Sequence, residues 1–174
     1  FYPKEMSERA NTRLAMETAP RLAIRTRELV LYYQPQICLR TGAITGAEAL
    51  VRWQNPQWGL IPPDKFIPLA EDTGLIAPIG MWVLGEACRQ LKQWQELALP
   101  IPRIAVNVSG YELEHGDIVT SVKNVLAESG LSADSLELEI TESLVMSEPE
   151  ESMRVLDEWN ARGVGLAIDD FGTG

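Results

Sequence analysis

Apolar and polar positions change their period several times along the chain, and each change marks an element. Leu29 to Leu39 is an apolar and aromatic run that predicts a strand, with Pro35 near its end, where a missing donor is tolerated. Thr41-Gly42 makes a turn, and Ala43 to Trp53 is a second strand, so the short connection predicts an antiparallel hairpin. Gln54 to Pro63, rich in Asn, Pro and Gly, reads as a loop. Asp64 to Glu71 is a short helix. Ile76 to Leu97 is a long amphipathic one, with Ile76, Ile79, Val83, Ala87, Leu91 and Trp94 near helical spacing. Arg103 to Val108 is a third strand, and Asp117 to Ser129 a helix closed by Gly130. Leu136 to Ile140 is a fourth strand. Ser147 and Glu150 form a capping-box pattern, and the helix they open is expected to turn Met153, Leu156 and Trp159 inward before stopping at Gly163. Val164 to Ile168 is the fifth strand. Upstream, residues 4 to 28 are polar and helical, interrupted by Pro20, which predicts two short helices or a kink near Ala19.

After the opening hairpin, strands and helices alternate. That order means a mainly parallel sheet with crossover helices, as in a (β/α) barrel or a doubly wound sheet. No Gly-x-Gly-x-x-Gly follows a strand, so the dinucleotide fingerprint is absent. The 174 residues amount to one domain plus a short appendage, residues 1–28, which carry no core of their own and read as a connector from an upstream domain.

Charge narrows the partners. A net −10 excludes non-specific binding of a nucleic-acid polymer, which needs a basic footprint. An anionic ligand must then be held by metal ions or a local arginine. Cys38 and Cys88 fit no zinc spacing, and the single His115 cannot complete one. Reduced thiols and the absence of a long apolar run give a cytoplasmic expectation, with any membrane anchor lying upstream.

The chemistry collects at strand ends. Strand two passes through Glu48, strand three ends in Asn107-Val108-Ser109, strand four runs Glu139-Ile140-Thr141-Glu142, and strand five ends in Asp169-Asp170. Side chains alternate across a strand, so Glu48 shares its face with Gly46, Asn107 with Ala105 and Asp169 with Ala167. Each of these candidates is preceded on its face by a small residue, which leaves room above the sheet. The opposite face, with Val106, Leu138, Ile140, Leu166 and Ile168, is expected to pack under the helices. Glu48, Asn107, Glu139, Asp169 and Asp170 are all oxygen donors, a set that suits Mg²⁺ or Mn²⁺ and occasionally Ca²⁺. So many carboxylates exceed what one Mg²⁺ takes from protein, and a two-metal site serving in-line displacement at phosphorus is the natural count. Glu142 could ligate or support. Arg52, four residues beyond Glu48 in a strongly acidic chain, is a phosphate fork or else a surface ion pair.

Six motifs in order then carry a resemblance. They are Tyr33-Gln34-Pro35; Gly46-Ala47-Glu48-Ala49-Leu50-Val51-Arg52-Trp53; the stretch from Phe66 to Ile76; Asn107-Val108-Ser109; Glu139-Ile140-Thr141-Glu142-Ser143; and Asp169-Asp170-Phe171-Gly172-Thr173-Gly174. From Leu29 onward the chain resembles the EAL family of cyclic di-GMP phosphodiesterases, and residues 1–28 resemble the tail of a GGDEF domain with its linker helix.

The resemblance implies a modified TIM barrel with an antiparallel first strand, of which this chain holds the first five strands. It implies hydrolysis of cyclic di-GMP to linear pGpG, with Mg²⁺ or Mn²⁺ as cofactor. Glu48, Asn107, Glu139, Asp169 and Asp170 would be metal ligands, with Glu48, Asp169 and Asp170 catalytic. Gln34, Leu50 and Arg52 would contact substrate, Arg52 through a phosphate, and Glu142 would hold the loop that begins at Asp170. A complete barrel takes roughly 250 residues, so three further strands, a lysine, two glutamates and a glutamine would lie beyond Gly174. The expected partners are cyclic di-GMP, a second copy in a homodimer and an upstream GGDEF or sensory domain. A non-catalytic cyclic di-GMP receptor or dimerisation module is the alternative.

Overall fold

A computed structural model describes residues 23, 26–115, 117–141 and 149–169, and their side chains except those of residues 115, 149–152 and 169. The helices expected around Pro20, the Ser147–Glu150 box, Glu142 and Asp170 onward lie outside these. The elements are β1 (Leu29–Ile37), β2 (Ile44–Asn55), β3 (Gly59–Ile61), α1 (Pro63–Asp72), α2 (Ile76–Glu96), β4 (Ile104–Asn107), α3 (Gly110–His115), α4 (Ile118–Ser129), a 3₁₀ turn (Ala133–Ser135), β5 (Leu136–Thr141), α5 (Pro149–Ala161) and β6 (Gly165–Asp169).

The strand order is β1-β2-β4-β5-β6, with β3 on the side of β2. β1 and β2 are antiparallel, and β2, β4, β5 and β6 run parallel. This is the expected barrel order with its inverted first strand. The β1–β2 turn closes on Cys38, whose carbonyl accepts from the backbone N–H groups of Thr41 and Gly42. Gly42 there takes φ +72°, open to glycine at no steric cost.

The stretch from Gln54 to Pro63 is not simply a loop. β2 continues to Asn55 and turns back as β3, with Gln54 opposite Leu60. Asn55 Oδ1 accepts from the backbone N–H groups of Gln57 and Trp58, and Gly59 takes φ +72°. Side-chain capping of the turn by Asn makes a tight hairpin from residues that composition alone marks as irregular.

Helices cover one face of the sheet. α2 brings Ile79, Val83, Leu84, Ala87, Cys88 and Leu91 into one buried cluster with Ile104, Val106, Leu136 and Leu138. Trp94 of α2 meets Tyr33 of β1 edge-on at 4.8 Å between centroids. Trp53 is fully buried against Trp58 and Phe66. α4 starts at Asp117, whose carboxylate accepts from Thr120 N–H, and ends at the left-handed Gly130.

Two expected core positions are not core. Met153 is 52% exposed, while Val155 and Trp159 are the buried residues among the described side chains of α5. Met153 and Trp159, six positions apart at 3.6 residues per turn, stand about 120° from each other around the helix, whereas Val155 and Trp159 stand about 40° apart. Ile168 is also 52% exposed, at the end of a strand with one neighbour among the described residues.

Candidate active site

The face of the sheet opposite these helices carries the expected site residues, and the pairing register sets which of them meet. Gln34 lies opposite Glu48, Glu48 opposite Ala105, Ala105 opposite Glu137, and Glu137 opposite Gly165. One step higher, Asn107 pairs with Glu139 and Glu139 with Ala167; above that, Thr141 pairs with Asp169. Residues opposite one another project from the same side of a sheet. Glu48, Asn107 and Glu139 therefore rise from adjacent strands on one face, and the backbone of Asp169 follows on β6.

Asn107 Nδ2 donates to Glu48 Oε1 at 2.8 Å. The amide thus fixes one carboxylate and leaves its own carbonyl oxygen as a further donor toward a cation. Glu139 is 8% exposed, a nearly buried carboxylate on the face that also carries Glu48. Three oxygen-bearing side chains on adjacent strands of one face suit a hard cation. Among the described residues no group of three or more His, Cys, Asp or Glu comes together. Asp169 contributes only its backbone position to the description, and Asp170 and Glu142 lie outside it.

Arg52 stands on this face, beyond Leu50, toward the C-terminal end of β2. Its Nη1 donates to the carbonyl oxygen of Val51 at 2.8 Å, and its guanidinium carbon lies 5.8 Å from the Tyr32 ring centroid. Among the described residues Arg52 has no ion pair, so the surface-pair alternative has no partner here. Gln34 is exposed and Leu50 half-buried.

Three residues escaped the sequence reading. Gln36 Nε2 donates to Glu139 Oε1 at 3.4 Å. Arg103 Nη1 pairs with Glu137 Oε2 at 2.9 Å. The small-residue rule fails on β5, because Glu137, not a small residue, precedes Glu139 on its face, and the Arg103 charge answers it. All three sit two or four positions from named candidates, so alternation from Gln34, Asn107 and Glu139 was the signal that could have found them. A fourth is Glu112, 5% exposed, which accepts from Ser109 N–H at 3.0 Å and Ser109 Oγ at 2.7 Å. It lines a mainly apolar cavity beside Asn107 and Leu50.

The EAL domain model matches residues 17–174. The chain belongs to the EAL family. It is 45% identical over 174 residues to the bifunctional diguanylate cyclase/cyclic di-GMP phosphodiesterase MucR of Pseudomonas aeruginosa, covering 100% of this chain and 25% of that protein. It is 39% identical over 173 residues to the cyclic di-GMP phosphodiesterase PdeR of Escherichia coli, covering 99% of this chain and 26% of PdeR. The fold is similar to that of the PaMucR phosphodiesterase in its c-di-GMP complex, with TM-score 0.88 and 46% identity over 92% of this chain and 65% of that one. The EAL enzyme Bd1971, bound to cAMP and cyclic di-GMP, superposes with TM-score 0.85 at 30% identity, over 95% of this chain and 46% of that one. This EAL chain thus spans about a quarter of the length of these curated relatives, and its sheet, antiparallel at β1–β2 and parallel from there, matches the TIM-barrel-like EAL fold. No helix among the described residues is long and apolar enough to cross a membrane.

Proposed function

We propose that this EAL chain carries the metal- and phosphate-binding part of a phosphodiesterase that opens cyclic di-GMP to linear pGpG. The observation that carries the reading is the alignment of Glu48, Asn107 and Glu139 on adjacent strands of one face, with Asn107 already bonded to Glu48. The relatives named for this activity support it. In this reading Glu48, Asn107, Glu139, Asp169 and Asp170 hold Mg²⁺ or Mn²⁺, because oxygen donors suit these ions. When bound, the cations supply Lewis-acid chemistry for attack of water at phosphorus. Arg52 holds a phosphate of the substrate, Gln34 and Leu50 lie along the ligand's path, and Glu142 supports the loop from Asp170. One phosphodiester bond breaks as water adds across it. A homodimer and an upstream signalling domain complete the proposal.

The test is a linearisation assay on the intact protein with cyclic di-GMP and Mn²⁺, read by chromatography of pGpG. Turnover is expected in the wild type and its loss in Glu48→Gln and in Asp169→Asn, each with weaker Mn²⁺ binding by calorimetry. Turnover undiminished by chelation, or unaffected by both substitutions, would sink the assignment. Tight binding without turnover would favour the receptor alternative.

A further inference from the structure

Beneath the candidate metal ligands the site-bearing face has a floor, and its residues are shaped around one side chain. Gln36 lies opposite Gly46 across the antiparallel β1–β2 pair. A Cβ at position 46 would stand 2.8 Å from Gln36 Oε1 and 2.9 Å from Arg103 Cγ. Glycine therefore opens the slot in which the Gln36 amide rests. From that slot Nε2 reaches Glu139 Oε1 on β5, with β2 and β4 lying between in the sheet order. Such a reach needs small residues beneath it, and Gly46 and Ala105 supply them.

The neighbouring charge is already committed. Arg103 pairs with Glu137, the residue below Glu139 on β5. Gln36 offers Glu139 a neutral amide. A cation in its place would neutralise the carboxylate and oppose a metal ion, whereas an amide orients it and leaves its charge intact.

We propose that Gln36 is a positioning residue that holds the Glu139 carboxylate in the orientation from which it joins Glu48 and Asn107 on a divalent cation. The inference rests on the metal-dependent reading above. Outer hydrogen-bond partners of metal ligands commonly change metal affinity by about 10- to 100-fold when removed.

The test uses the intact protein and Gln36→Met, which keeps length and volume and removes the amide. Calorimetric titration should show Mn²⁺ affinity about tenfold weaker, at the low end of that range. Metal-free melting should be nearly unchanged, and any lost turnover should return at saturating Mn²⁺. Gly46→Ala, which crowds the slot, should reproduce the loss, and the double variant should be no worse than either, since both remove one interaction. If Gly46→Ala fails to fold, Gln36→Met decides alone. Wild-type affinity in Gln36→Met, beside lost affinity in Glu139→Gln, would overturn this inference alone. A loss matched by lower metal-free stability and not rescued by Mn²⁺ would also overturn it, as a structural role. Absence of Mn²⁺ binding in the wild type would overturn the metal reading and the inference together.

Discussion

Arg52 shows how one side chain separates ligand binding from metal binding. It sits on the same face as Glu48 but is committed to no acid among the described residues, only to a backbone carbonyl and the face of the Tyr32 ring. A guanidinium left open in a chain of net charge −10 is suited to a phosphate. Arg52→Ala should therefore raise the dissociation constant for cyclic di-GMP by about 10- to 100-fold, as expected from the roughly 1.5–3 kcal/mol of a hydrogen bond to a charged group. Mn²⁺ affinity should stay nearly as in the wild type. Parallel titrations of dinucleotide and Mn²⁺ check this, and an equal loss of both would make Arg52 structural. Arg52 was legible in the sequence because charge sign and distance from Glu48 are one-dimensional facts. Alternation from Gln34 puts Gln36 on the same face, but its contact with Glu139 depends on a slot that only the register of β1 on β2 creates.

Between elements, the contact of α3 with α2 is made by a buried acid. Ser109 and Glu112 form a reciprocal cap at the start of α3, with Glu112 N–H also reaching Ser109 Oγ at 3.4 Å. The Glu112 carboxylate then lies directly over Gly80 of α2, where any Cβ would collide with it. Burial raises the Glu112 carboxyl above its ordinary value of 4.5; the two Ser109 bonds oppose this and nearby Glu71 adds to it. For an acid raised in the folded state, the stabilising contribution is full below the unfolded value and is lost as pH rises through the folded one. Glu112→Gln keeps an acceptor for both Ser109 bonds and removes the charge. It should melt a few degrees above the wild type at pH 7, with the gap closing toward pH 4. Thermal melts across that range check it, and a gap that widens on acidification would refute it. α3 itself was missed in the sequence because Gly110 reads as a breaker, although Ser109 and Glu112 stand at capping-box spacing. β3 was missed for a related reason, since Asn, Pro and Gly mark a turn without saying that strands continue on both sides.

At the scale of the whole molecule, the order of parallel strands was legible because alternation of apolar runs with amphipathic helices permits few topologies. Closure is a different matter, since it depends on pairing between strands far apart in sequence. Among the described residues β1, β3 and β6 each have a single strand neighbour, and β1 and β6 stand at the two ends of the strand order. β6 runs Gly-Leu-Ala-Ile-Asp, is parallel to β5, and leaves Ile168 52% exposed. An apolar edge of this kind offers unpaired backbone groups to any strand that meets it. Residues 1–174 expressed alone should therefore self-associate rather than remain monomeric, and should not linearise cyclic di-GMP. Light scattering after size exclusion gives the mass, and a linearisation assay with Mn²⁺ on the same fractions gives the activity. A charged substitution at the edge, Ile168→Lys, should shift the distribution toward monomer, because inward or edge charges block strand addition. A stable monomer of 19.3 kDa that turns over substrate would show that neither edge pairing nor residues outside this stretch are needed for the chemistry.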